Sequence, residues 1–84
     1  MTPSERRERL AGLTRDQRVI FNRLNRRSEP VTIPHDLAKA RLKARYGFAW
    51  PMGYDRAYAA CQRLVKLGLV RRLPGRPSRW EVVR

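Results

Sequence analysis

Arg56, Arg63 and Lys66 recur at helical spacing in the segment RAYAACQRLVKL, with Ala59 on the same face and Gln62 beside it. A guanidinium is a planar fork of donors. It fits a phosphate, or the O6/N7 edge of guanine, through two parallel bonds, and a glutamine amide matches an adenine edge in the same way. Tyr58 adds a ring that can pack on a thymine methyl and a hydroxyl that can donate to a phosphate. Further along, Arg76 stands between Gly75 and Pro77 in the stretch LPGRPSRW, with Ser78 close behind. Upstream, Lys39, Lys43 and Arg45 add three more cations in HDLAKARLKARY, as phosphate contacts or as part of a general positive field. From Leu37 to Trp80 the only acidic residue is Asp55, at a position suited to capping a helix. Charge segregated in this way displaces condensed counterions from a phosphate backbone. The candidate binding residues are therefore Arg56, Tyr58, Ala59, Gln62, Arg63, Lys66, Arg76, Ser78, Lys39, Lys43 and Arg45.

The whole chain carries the same bias. Its 84 residues have a formal net charge of +13 and a sequence pI near 11.6. Self-repulsion on that scale weakens a compact state and usually answers a polyanion. Only Lys39, Lys43 and Lys66 among the 20 basic residues are lysines. That ratio also follows from GC-rich coding, so the net charge carries more weight than the choice of arginine. Nothing points to catalysis. His35 is the one histidine and reads as a structural or surface residue near a helix start, and Cys61 is the one cysteine. There is no metal-spaced Cys/His cluster, no glycine-rich phosphate loop and no acid pair. We expect no enzyme activity, no cofactor and no metal. A lone cysteine cannot form an intramolecular disulfide, and no apolar run nears the roughly 20 residues that span a bilayer. The expected location is cytoplasmic, at the nucleoid or in a host cytoplasm if the source is viral, with no membrane partner.

Elements that position these residues follow from caps and periodicity. Thr2-Pro3-Ser4-Glu5 reads as a capping box, and residues 1–12 form a short helix or arm ending at Gly12. Thr14 and Gln17 repeat the pattern ahead of Val19, Ile20, Phe21 and Leu24, which predicts a helix reaching about Arg27. Val31-Thr32-Ile33 is a β-prone scrap between prolines, and His35–Tyr46 predicts a further helix with Leu37, Ala38 and Leu42 inward. GFAWPMG is a connection, with Trp50 reading as a core or oligomer contact. Asp55 is then the candidate N-cap of a helix whose Ala57, Ala60, Cys61, Leu64 and Leu67 share one face. Gly68 stops it. Leu69–Leu73 and Arg79–Val83 predict a hairpin around PGRPS, with Trp80 in the core.

Helix, scrap, helix, connection, helix and hairpin, ending in RLVKLGLVRRL-PGRPS-RWEVV, resembles a winged helix-turn-helix domain. The resemblance runs from about Leu13 to Val83 and is most specific over Leu64–Trp80. It implies an α+β, mainly helical fold: a three-helix core plus a C-terminal β-hairpin wing, occupying residues 13–84 behind the N-terminal helix or arm. Small bacterial and phage regulators have this form, including those of the multiple-antibiotic-resistance-regulator type. The resemblance therefore implies double-stranded DNA as partner and transcription regulation, repression included, with the last helix in the major groove and the wing at the minor groove. One departure is the connection Gly47–Tyr54, longer than the tight turn usual between the two helices of the motif. A homodimer reading paired half-sites, docking on a protein of the transcription machinery, and charge-driven binding of RNA or of DNA as an architectural protein stay open beside the leading reading. Gly75-Arg76-Pro77 also resembles the core of an AT-hook, with Pro74 where that motif has arginine.

Overall fold

Thr14 caps the second helix of the protein. In a computed structural model describing residues 1–33 and 50–84, its hydroxyl accepts from the Gln17 amide at 3.4 Å. The Gln17 side chain accepts from the Thr14 amide at 3.1 Å. This reciprocal pair satisfies two donors that a helix start otherwise leaves orphaned. The helix, α2, spans Arg15–Asn25 and follows α1, Pro3–Ala11, whose Thr2 cap accepts from the Glu5 amide. Ile20, Phe21 and Leu24 of α2 are buried, in keeping with their spacing.

Val31–Thr32 forms strand β1. The helix expected over His35–Tyr46, together with His35, Lys39, Lys43 and Arg45, lies outside the described residues. The third described helix, α3, spans Tyr54–Lys66. It starts earlier than the sequence suggests. Gly53 is its N-cap, without a side-chain hydrogen bond, and Asp55 is not the cap but an acid in the first turn. There its carboxylate still complements the positive end of the helix. Ala57, Ala60, Cys61 and Leu64 make the buried face of α3, and the small size of the first three lets α2 pack closely against it. Leu67, expected on that face, is the partly buried C-cap. Gly68 follows with φ +75°, a left-handed turn that L residues with a Cβ rarely adopt.

Strands β2, Val70–Leu73, and β3, Arg79–Val82, form the expected hairpin. β1 adds to its other side, giving an antiparallel sheet in the order β1-β3-β2. The scrap Val31-Thr32 thus does more than link helices: Val31 pairs with Trp80 and Thr32 with Arg79. Trp80 sits on the central strand, only 2% exposed, and helps join sheet and helices into one core with Leu13, Ile33, Trp50 and Met52. Among the described residues, the protein is therefore a small α+β domain of three helices and a three-stranded antiparallel sheet. No charged or polar residue is buried among them, and no helix is long and apolar enough to cross a membrane.

Arginines fasten the parts together. Arg9 of α1 donates to the Leu67 carbonyl at 2.7 Å, at the C-terminus of α3. Arg6 donates to the Val83 carbonyl at 2.7 Å and lies 5.8 Å from the centre of the Phe21 ring. Arg84 donates to the carbonyls of Asn25 and Arg27, where α2 ends. Helix ends leave carbonyls without intrahelical partners and carry partial negative charge, so a guanidinium suits both. The N-terminal segment, expected as a short helix or arm, is a helix, held to the body by two of its arginines.

Candidate nucleic-acid interface

The exposed face of α3 gathers Arg56, Ala59, Gln62, Arg63 and Lys66. The register of α3 dictates this: burying Ala57, Ala60, Cys61 and Leu64 turns the residues between them outward. Gln62, Arg63 and Lys66 are exposed, and their side chains make no hydrogen bond or ion pair among the described residues. Val65, 36% exposed, is the large apolar side chain exposed on this helix.

Arg56 is engaged differently. Its Nε and Nη2 donate to both carboxylate oxygens of Asp16 on α2, at 2.8 to 3.1 Å. The hydrogen bond, and then the charge of Asp16, raise the Arg56 pKa above its ordinary value. Both side chains remain accessible, 68% exposed for Arg56 and 32% for Asp16. The sequence gives no local signal for this pair, because 40 residues separate its members.

Tyr58 is half-buried rather than offered freely to a ligand. Its ring stacks on Tyr54 at 5.6 Å and meets Trp80 edge-on at 5.5 Å. Over this aromatic group lies Arg72 of β2, 5.7 Å from the Tyr58 ring and 5.5 Å from the Trp80 ring. The same guanidinium donates from Nε and Nη2 to Ser78 Oγ, at 3.1 and 2.9 Å. Arg72 and Ser78 thus clasp the base of the hairpin to α3. Arg72 was not among the residues expected from sequence, yet the hairpin register places it directly opposite Trp80. A five-residue loop, Pro74–Ser78, fixes that register, so the pairing was available to sequence reasoning.

The hairpin loop carries Arg76 at its tip. Gly75 has φ +150°, outside the range of ordinary L residues, and the Arg76–Pro77 peptide is cis. Arg76 is exposed and without a hydrogen bond or ion pair among the described residues. Neighbouring Arg71 is paired with Glu81 across the strands, so it adds less to the open positive surface. Apart from Ala59, which has no polar group, the candidates among the described residues therefore fall into two groups. Gln62, Arg63, Lys66 and Arg76 are open; Arg56, Tyr58 and Ser78 are held by other side chains.

The described residues include no group of three or more His, Cys, Asp or Glu side chains placed to hold a metal. Cys61 is fully buried, and burial pushes its thiol up to about 12. A thiol kept protonated among apolar neighbours is a poor nucleophile. Set beside known proteins, the chain matches no family model, no curated protein and no solved structure.

Proposed function

We propose that the protein is a winged helix-turn-helix domain that binds double-stranded DNA with sequence preference and regulates transcription, without enzymatic activity. α3 acts as the recognition helix in the major groove, and the β2–β3 hairpin acts as the wing at the minor groove. The observation that carries this reading is the exposed, unpaired set Gln62, Arg63 and Lys66 on one face of α3, whose other face is packed into the core. A recognition helix needs this division: one face fixed by the body, the other offering donors to base edges and phosphates.

The sheet order β1-β3-β2 and the clasp of Arg72 on Tyr58 support the same reading, because they hold the hairpin at a set angle to α3. Arg76 at the tip is suited to a narrow, electronegative minor groove. The test is an electrophoretic mobility shift of random-sequence duplex DNA at about 50 mM salt, where phosphate contacts are strongest. Retarded complexes are expected at micromolar protein or below. Free duplex at every protein concentration overturns the proposal. Competition by single strands and structured RNA in the same assay checks the choice of duplex, and better competition by either one overturns that part.

A further inference from the structure

The ion pair between Arg56 and Asp16 has a directional consequence, which rests on the DNA-binding reading above. A guanidinium has two forks. The side-on fork, Nε with the near hydrogen of Nη2, is filled by the Asp16 carboxylate. The end-on fork, Nη1 with the outer hydrogen of Nη2, is not used by Asp16. Three hydrogen bonds on one side restrain the guanidinium from turning and favour one direction for the remaining pair of parallel donors. Arg56 is the third residue of α3. The N-terminal residues of a recognition helix are those that reach base edges.

Two parallel donors require two acceptors side by side on one base. In the major groove only guanine offers these, at O6 and N7; adenine and cytosine place an amino donor there, and thymine a single oxygen and a methyl. Asp16 also neutralises Arg56 locally and repels phosphate oxygens, which biases the fork away from the backbone. We propose that Asp16 is a specificity-determining positioning residue: it holds Arg56 so that the protein requires a guanine at one position of its DNA site.

Asp16 has a plain structural role as well, since an acid in the first turn of α2 complements that helix end. The two roles separate by sequence dependence. Loss of helix stability weakens binding to every duplex alike, whereas loss of aim changes the preference at one base pair. The experiment selects bound duplexes from a random pool and then measures affinities for the selected site and its three single-base variants. Wild type, Asp16→Asn, Arg56→Ala, the double variant and Asp55→Asn are compared, with circular dichroism confirming that each is folded.

Wild type is expected to prefer guanine at one position by about 5- to 150-fold. Asp16→Asn should lose most of that preference and bind non-specific duplex at least as tightly, because the released guanidinium turns to phosphates. The double variant should discriminate no worse than Arg56→Ala alone, the non-additivity of two groups acting as one. Asp55→Asn, which removes the same charge from the same neighbourhood, should leave the preference intact. If Asp16→Asn keeps the wild-type preference at every position, or if wild type binds duplex without preferring guanine, the inference falls while DNA binding stands. If wild type binds no duplex, the DNA-binding reading falls, and the inference with it.

Discussion

Cys61 shows how far packing alone sets the chemistry of a side chain. It lies between Ala57, Ala60 and Leu64 on the face of α3 that meets α2, and its accessible surface is nil. No partner is needed to explain its raised pKa: desolvation penalises the thiolate. Folding therefore retains a proton that the unfolded chain releases. The contribution of Cys61 to stability is complete below about pH 9 and is lost as the pH climbs towards about 12. Each pH unit in that window should remove about 1.4 kcal/mol relative to Cys61→Ala, which has no proton to lose there. Urea titrations of both proteins at several alkaline pH values test this, and parallel curves would show that the thiol is not desolvated as described. The apolar role of Cys61 was legible in sequence from its spacing with Ala57, Ala60 and Leu64. The Asp16–Arg56 pair was not, because it depends on how α2 and α3 cross.

At the scale of elements, Arg72 bridges the hairpin and α3 over the core that they share. Its two ring contacts span both elements, and Ser78 fixes its orientation. Contacts of this kind contribute about 0.5–1 kcal/mol each at exposed sites, so Arg72→Ala should lower the unfolding free energy by about 1–2 kcal/mol. Arg72→Lys keeps the charge but loses the planar stack and the fork on Ser78, so it should recover only part of the difference. Denaturant midpoints measure both, and full recovery by lysine would reduce the clasp to a matter of charge. The elements themselves were unequally legible. The capping box and apolar spacing specify the start and the buried face of α2, which ends at Asn25, two residues short of the expected Arg27, and the breakers around PGRPS delimit β2 and β3. β1 is too short to declare its partner, since two residues carry little pattern and its place on β3 is settled by burial of Val31 against the core. The start of α3 misleads because Asp55 is a good cap by type, while glycine can serve as N-cap with no side chain at all.

For the molecule as a whole, a net charge of +13 on 84 residues makes salt the decisive variable. Several arginines are already committed: Arg6, Arg9 and Arg84 to backbone carbonyls, Arg56 and Arg71 to carboxylates. On the proposed DNA-binding reading, the open cations of α3 and the hairpin tip, joined by a few from the rest of the surface, make about five phosphate contacts. Log affinity should then fall with log salt at a slope of about −4.5. Arg63→Ala and Lys66→Ala should each make the slope shallower by about 0.9, while Arg56→Ala should scarcely change it. Titration of one duplex across a salt series reads all four values, and a slope near zero would be incompatible with a phosphate-dominated interface. Charge also bears on how copies of the protein treat one another. β2 is an outer strand of the described sheet, and such a strand carries unpaired backbone groups that invite a further strand. Its two central residues, Arg71 and Arg72, are both exposed and cationic, which makes the approach of a second β2 repulsive. Replacing both with valine would turn residues 69–73 into Leu-Val-Val-Val-Leu, an uncharged, β-branched run. Such a variant should scatter light and bind thioflavin on gentle warming, while the native chain stays clear. On this expectation Arg72, which clasps the hairpin to α3, also opposes growth of the sheet through β2.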